Sequence, residues 1–324
     1  MHASRLMAVG LLLAVMTTAS PADAETYPER PVRIVVPFPA GGPTDILARV
    51  IAQRMSDDWG QAVVVENRPG GDTVIAAQQV AKAAPDGYTL LAAMDTTLVM
   101  NPAIKKNLPY DPYRDFAYIT MASQNTSLLS VRAADGPASV KDLVARARSS
   151  PGKLNYGAGI ITTRLAGYLF ARAAGIEIQL IPYKGSPDVV QGLLTGGVDF
   201  IVDGIATALP LVKSGRIRAL AKLNSRPLPA LPDVQPLAIA ADLPELDDIS
   251  SWTGLVAPAG TPRGVVERIQ REVAAMLADP AIVAKLEASG VTAVSSTPEE
   301  FEAFFRREAA RWHNAFKDSG IKLD

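Results

Sequence analysis

The residues in this chain whose spacing could do chemistry are glycines and small polar side chains at the ends of apolar runs. Ile34-Val35-Val36 leads through Pro37, Phe38 and Pro39 into Ala40-Gly41-Gly42-Pro43-Thr44-Asp45. Ile46, Leu47, Val50 and Ile51 then recur at helical spacing. A strand, a glycine turn and a helix N-terminus gather several backbone N–H groups around one point, which suits an anion such as a carboxylate. The glycines let backbone come close to a ligand with no Cβ in the way, and Thr44 or Asp45 fits as the helix N-cap. Similar endings recur at Gly70-Gly71-Asp72-Thr73, at Asp95-Thr96-Thr97, and at Gly157-Ala158-Gly159 followed by Thr162, Thr163 and Arg164. Tyr183-Lys184-Gly185 and Asp203 close the set. An ordinary βα turn has the same local pattern, so a single such loop does not establish a site.

Each side chain has a functional and a plain role. Phe38 and Tyr183 either stack on a ligand ring or wall a cleft. Asp95 and Asp203, at strand ends, either accept hydrogen bonds from a ligand hydroxyl or amine or cap the next helix. Arg164 at a helix start opposes the helix dipole. It either pairs bidentately with a second ligand carboxylate or meets solvent or an acid such as Glu177. Lys184 is a second cation or a solvated turn lysine. Asp72 beside an anion site has no assigned role.

Much chemistry is excluded. The two histidines are His2 and His313, and there is no cysteine, so no His/Cys metal set or Ser-His-Asp constellation is in view. No G-x-S-x-G elbow or phosphate-binding P-loop occurs. Gly157-Ala158-Gly159-Ile160-Ile161-Thr162 is half a dinucleotide fingerprint, without its third glycine. No catalytic residue, metal or cofactor is assigned, and the chain is expected not to be an enzyme. Formal net charge is -1 without basic blocks, so nucleic acid is not an expected partner.

The elements that must hold these loops follow a βα rhythm, which calls for parallel strands with ligands beyond their carboxyl ends. Strands are expected at 32–37, 62–66 and 88–93, with helices between. Phe116–Val131 reads as one long extended segment with the polar middle Ser123-Gln124-Asn125-Thr126-Ser127, fit to pass into a second domain. There the rhythm restarts, with strands near 154–157, 176–182, 198–202 and 217–222. Residues 224–246 read as irregular, Ser251–Pro258 as a strand, and three helices follow. At the other end, Arg5, the apolar run Leu6–Thr18 and Ala22-Asp23-Ala24 form a secretory signal peptide cleaved after Ala24. The run is short for a span of roughly 20 residues. With no cysteine for a lipid anchor or disulfides, the mature protein is expected in a bacterial periplasm.

The chain resembles the substrate-binding proteins of tripartite tricarboxylate transporters, the Bug-type receptors. The matching stretches include Val36-Pro37-Phe38-Pro39-Ala40-Gly41-Gly42-x-Thr44-Asp45, Val65-Glu66-Asn67-Arg68-Pro69-Gly70 and Ala81-Lys82-Ala83-Ala84-Pro85-Asp86-Gly87-Tyr88. Asn155-Tyr156-Gly157, Pro182-Tyr183-Lys184-Gly185, Ala257-Pro258-Ala259-Gly260-Thr261-Pro262 and Gly320-Ile321-Lys322 continue them. The resemblance implies an α/β, type II-like periplasmic-binding-protein fold. Each domain would be a mixed, mostly parallel sheet flanked by helices, with the ligand cleft between. The expected domains are 25–124 with 250–324, and 125–249. It implies a small carboxylate ligand, held by the first glycine loop and a second-domain loop partly through water; with Arg164 in the second loop a dicarboxylate is expected, aromatic diacids included. It also implies membrane permease subunits as partners for a monomeric receptor. A periplasmic sensor feeding a two-component system and an exported enzyme are the alternatives. Pro43 stands where the family usually has serine, Gly70-Gly71-Asp72-Thr73-Val74 replaces a more glycine-rich run, and Arg164 falls near a usual histidine. These departures sit in the ligand loops and bear on which carboxylate is taken.

Overall fold

The computed structural model describes residues 26–246 and 249–319, so the signal segment 1–24 and the 320–322 end lie outside the described residues. In chain order β1 (Val32–Val36), α1 (Pro43–Trp59), β2 (Val63–Asn67), α2 (Val74–Ala81) and β3 (Thr89–Met94) alternate. A π-helical turn, Thr96–Met100, joins β3 to the short α3 (Asn101–Ile104); Pro102 is tolerated there because it sits in the first turn. β4 (Phe116–Asn125) and β5 (Ser127–Arg132) are separated by Thr126 alone. Next come α4 (Val140–Ser149), β6 (Leu154–Ala158), α5 (Ile161–Ala174), β7 (Ile178–Pro182) and α6 (Ser186–Leu194). β8 (Phe200–Gly204), α7 (Ile205–Lys213), β9 (Ile217–Lys222) and a one-turn α8 (Leu237–Ala240) follow. β10 (Ser251–Pro258), α9 (Arg263–Leu277), α10 (Pro280–Ala288) and α11 (Pro298–Ser319) complete the described chain.

The strands form two sheets of one design, ordered β2-β1-β3-β10-β4 and β7-β6-β8-β5-β9. In each, the first three strands pair in parallel and the last two pairings are antiparallel. Four of five strands therefore run one way. The reversed strand is β10 in the first sheet and β5 in the second, each the strand by which the chain enters from the other sheet.

Both faces of each sheet are covered, so the strands are apolar on both sides. Along β1, Val32, Ile34 and Val36 face one buried cluster and Val35 faces another, as the alternation of strand side chains requires. The first cluster is completed by α1 and α9 through Leu47, Ile51, Val266 and Ile269. The buried stripe of α1 is Leu47, Ala48, Ile51, Ala52 and Met55, while Ile46 and Val50 are only half-buried. The expected stripe is thus rotated toward the alanines, whose small side chains allow close approach to the sheet. The other cluster runs through both halves, taking Leu98, Trp252 and Phe301 from the first and Tyr156, Leu165 and Phe200 from the second. A third fills the outer face of the second sheet under α6 and α7.

Two crossovers connect the halves. Thr126 lies on one, and Asn224 and Ser250 on the other. Asn224 Nδ2 donates to Thr126 Oγ1 at 2.9 Å and to Ser250 Oγ at 3.1 Å, tying the crossovers side by side.

Candidate functional site

Because β1, β2 and β3 are parallel, the turns after them all emerge at one end of the first sheet. In the same way the turns after β6, β7 and β8 emerge at one end of the second. The two ends face each other: Thr162 Oγ1, at the start of α5, donates to Asp95 Oδ2, just after β3, at 2.9 Å.

The first glycine turn is shaped by its own side chains. The N-cap of α1 is Gly42, not Thr44 or Asp45. Pro43 occupies the first helical position, where its fixed φ fits and its missing N–H costs nothing. Asp45 is then the third helical residue, and its Oδ2 accepts from Gly41 N–H at 2.8 Å, from a residue with φ of 90°. Arg49 Nε at 2.9 Å and Asn67 Nδ2 at 2.8 Å also donate to this carboxylate. Burial works to raise the Asp45 carboxyl, but the bonds from Arg49, Gly41 and Asn67 outweigh it and hold it below its ordinary value. Asn67 Nδ2 also reaches the Phe38 carbonyl at 3.0 Å. Asp45 and Asn67 therefore brace the loop, while Ala40 and Gly41 stay exposed at its tip and Phe38 half-buried. Thr44 is buried, its hydroxyl 3.2 Å from Met94 Sδ.

The second turn is held in an unusual backbone. Gly70, Gly71, Asp72 and Thr73 all have positive φ, at 130°, 59°, 52° and 77°. Such values in a β-branched residue are costly and persist only where the surroundings enforce them. Asn101 enforces them here. Its Nδ2 lies 2.6 Å from the Asp72 carbonyl and 3.2 Å from Thr73 Oγ1, and Thr97 Oγ1 bonds Thr73 Oγ1 at 2.9 Å. The Asp72 carboxylate turns outward to Lys105 Nζ at 3.1 Å. Thr97 was named only as part of the Asp95-Thr96-Thr97 turn, and Asn101 was not singled out from the sequence; neither residue's partner on the second turn had a local signal.

Asp95 caps the π-helical turn, accepting from Thr96 N–H at 2.6 Å. Burial drives its carboxyl up to about 7, against smaller downward pulls from the bonds of Thr96 and Thr162. Asp203, on β8, is also buried and raised by burial, and it is bonded by the hydroxyls of Ser186 and Thr207. Asp95 thus serves the turn that follows it and meets the opposite domain, while Asp203 ties the start of α6 at Ser186 to α7 at Thr207.

On the second side, α5 begins at Ile161, so Thr162, Thr163 and Arg164 all lie in its first turn. Thr163 Oγ1 accepts from Ile160 N–H at 3.3 Å and donates to the Ile160 carbonyl at 3.0 Å, which fixes the first turn. Ala158 is buried, and a Cβ on Gly159 would lie 2.9 Å from the Gly185 carbonyl carbon, so the β6 and β7 turns touch. Tyr183 packs its ring tip over Gly192 of α6, and Lys184 is exposed. Arg164 is half-buried; its Nε is buried without a hydrogen-bond partner. Arg164 and Thr162 lie about 200° apart around the helix, so they occupy different faces of its first turn. A groove of 620 Å³ lies elsewhere, between α5 and edge strand β7, lined by Tyr168, Arg172, Glu177 and Gln179 among others.

Comparison with known proteins gives this geometry its context. Protein BugT of Bordetella pertussis is 34% identical over the full length of both chains. The structure of Rpa4515 from R. palustris with adipate superposes with a TM-score of 0.84 at 35% identity, covering 91% of this chain and 99% of that one. MatC from Rhodopseudomonas palustris with bound malate gives 0.79 at 30% identity, covering 89% and 99%. The profile of the tripartite tricarboxylate transporter family receptor matches residues 47–321. Two matched α/β domains with their strand ends face to face, and this run of similarity along the whole described chain, place the protein in the tripartite tricarboxylate transporter receptor family.

Proposed function

We propose that this protein is an exported receptor that captures a small carboxylate by closing its two domains and delivers it to the permease of a tripartite transporter. The observation that carries the reading is the apposition of the two strand ends through Asp95 and Thr162. On this reading the Ala40–Thr44 loop and the α5 N-terminus are opposite walls of one cleft. The first-turn N–H groups of α1 have no intrahelical acceptor and carry the positive end of the helix dipole, which suits one carboxylate. Pro43 contributes no N–H there, so water or the opposing loop completes that shell. Arg164, with its Nε buried and unbonded, is the proposed partner of a second carboxylate. The bound adipate and malate of two relatives, both diacids, support a dicarboxylate ligand. No described helix is long and apolar enough to cross a membrane, which agrees with a receptor working beside a separate permease.

The test is a thermal-shift screen of protein freed of endogenous ligand, against aliphatic and aromatic mono- and dicarboxylates. A ligand at 100 times its Kd should stabilise by about 2.7 kcal/mol. Arg164→Ala should cut the response to dicarboxylates at least tenfold in apparent affinity while monocarboxylates change little. No response to any carboxylate would sink the reading.

A further inference from the structure

Asp95 is 1% exposed at the point where the two domains touch. Its Oδ2 meets the Thr162 hydroxyl from the opposite domain, and its Oδ1 accepts from the Thr96 N–H. Both are neutral donors. The elements packed around it carry other ionisable side chains, among them Glu308 and Arg311, an ion pair on α11, and Arg164 on α5, but none of these cations bonds the Asp95 carboxylate. The charge that bears on Asp95 is Glu308, of like sign. A buried carboxylate without a cation is costly and takes a proton instead. The hydroxyl partner suits both states, since Thr162 can donate to a carboxylate or accept from Oδ2–H. A ligand carboxylate entering the cleft adds one more like charge.

We infer that Asp95 is a proton-coupled closure contact of the cleft: its carboxyl is neutral when the domains are closed, so closure over a carboxylate takes up one proton from solvent at Asp95 Oδ2. This rests on the reading of the protein as a carboxylate receptor. In the open cleft Asp95 is hydrated and titrates near the usual value of about 4, while in the closed cleft burial moves it to about 7. Closure is therefore most favoured at and below pH ~4, weakens as the pH rises toward ~7, and is flat above that, where both states are ionised.

Three measurements decide it. In protein carrying 13C-labelled aspartate, the Asp95 carboxyl resonance, assigned by its loss in Asp95→Asn, should titrate at about pH 7 where spin-label distances show the domains closed and at about pH 4 where they show them open. An ordinary midpoint near 4 in ligand-free protein that spin-label distances show to be closed overturns the inference whatever ligands do. Calorimetric titration with adipate or malate, in buffers of different ionisation enthalpy, should show uptake approaching one proton at pH 6 and affinity about tenfold higher at pH 6 than at pH 8. Asp95→Asn, which mimics the neutral acid, should remove that difference, and an equal proton count in wild type and variant overturns the inference. If neither diacid binds, the carboxylate reading fails by itself, and closure is read from spin labels on Asp57→Cys and Lys213→Cys in this cysteine-free chain. The interdomain distance should shorten between pH 8 and pH 6 in wild type and not in Asp95→Asn; the same distances at both pH values overturn the inference.

Discussion

At the scale of the residue, the first glycine turn depends on Asp45 more than on its glycines. The carboxylate gathers Gly41 N–H, Arg49 and Asn67 around one point, and Asn67 in turn holds the Phe38 carbonyl. Asp45→Asn should lower stability at pH 7 by about 1 kcal/mol, a modest figure because Arg49 is half exposed and screened. The sign with pH follows from the depressed carboxyl. Its contribution is complete above the unfolded value of about 4 and fades as pH falls through the lower folded value. Urea unfolding of both proteins at pH 7 and pH 3 should show the gap closing at the lower pH. A gap unchanged at pH 3 would mean that Asp45 acts by shape alone.

At the scale of the element, the first sheet is sealed by α11 through Phe301 and Phe305, which pack on Tyr118 and Trp252. Thr297 and Glu300 form a capping box ahead of α11: Glu300 N–H donates to Thr297 Oγ1 at 3.1 Å and Thr297 N–H to Glu300 Oε2 at 2.8 Å. By contrast the cap of α9 is Pro262 itself, with ψ of 136° keeping it extended, so the helix starts at Arg263. The close fit of α11 rests on Gly254 in β10. A Cβ there would lie 2.2 Å from Phe301 Cζ and 2.9 Å from the Thr120 carbonyl oxygen. Gly254→Ala must displace the helix or the strand and should cost about 1–3 kcal/mol in urea-melt stability. Unchanged stability would show that α11 is not seated as described.

At the scale of the molecule, the two sheets share one strand order, and each reversed strand is where the chain arrives from its neighbour. Motion between them must pass through Thr126 and the 224–250 segment, which Asn224 binds together while 1% exposed. Asn224→Ala leaves two buried hydroxyls short of a donor and should cost about 1–3 kcal/mol. It should also loosen the coupling of the two halves. Trp59, Trp252 and Trp312 all lie on elements of the first sheet, so tryptophan fluorescence reports that half while far-UV circular dichroism reports both. The two denaturation curves should coincide in the wild type and separate in the variant. Curves that stay coincident would assign the coupling to the apolar cluster shared by Leu98 and Leu165 instead.

Local pattern settled a good deal of this protein. The alternation of strands and helices, the polar break at 123–127 and the small-residue turns after each strand were legible in the sequence, because each is written in neighbouring residues whose period or backbone freedom has one simple reading. Similar runs of residues also pointed to the family. Contacts between distant segments were not legible. Whether Asp95 capped a helix or faced the other domain depended on where α5 came to rest, and it does both. Asn101 and Thr97 read as loop residues until packing set them under the strained turn at Asp72 and Thr73. Tyr183, plausible as a cleft aromatic, lies over Gly192 because α6 folds back beneath it. In each case the side chain had several satisfactory partners in principle. The tertiary fold chose one, since a buried polar group must take the partner that packing brings within reach.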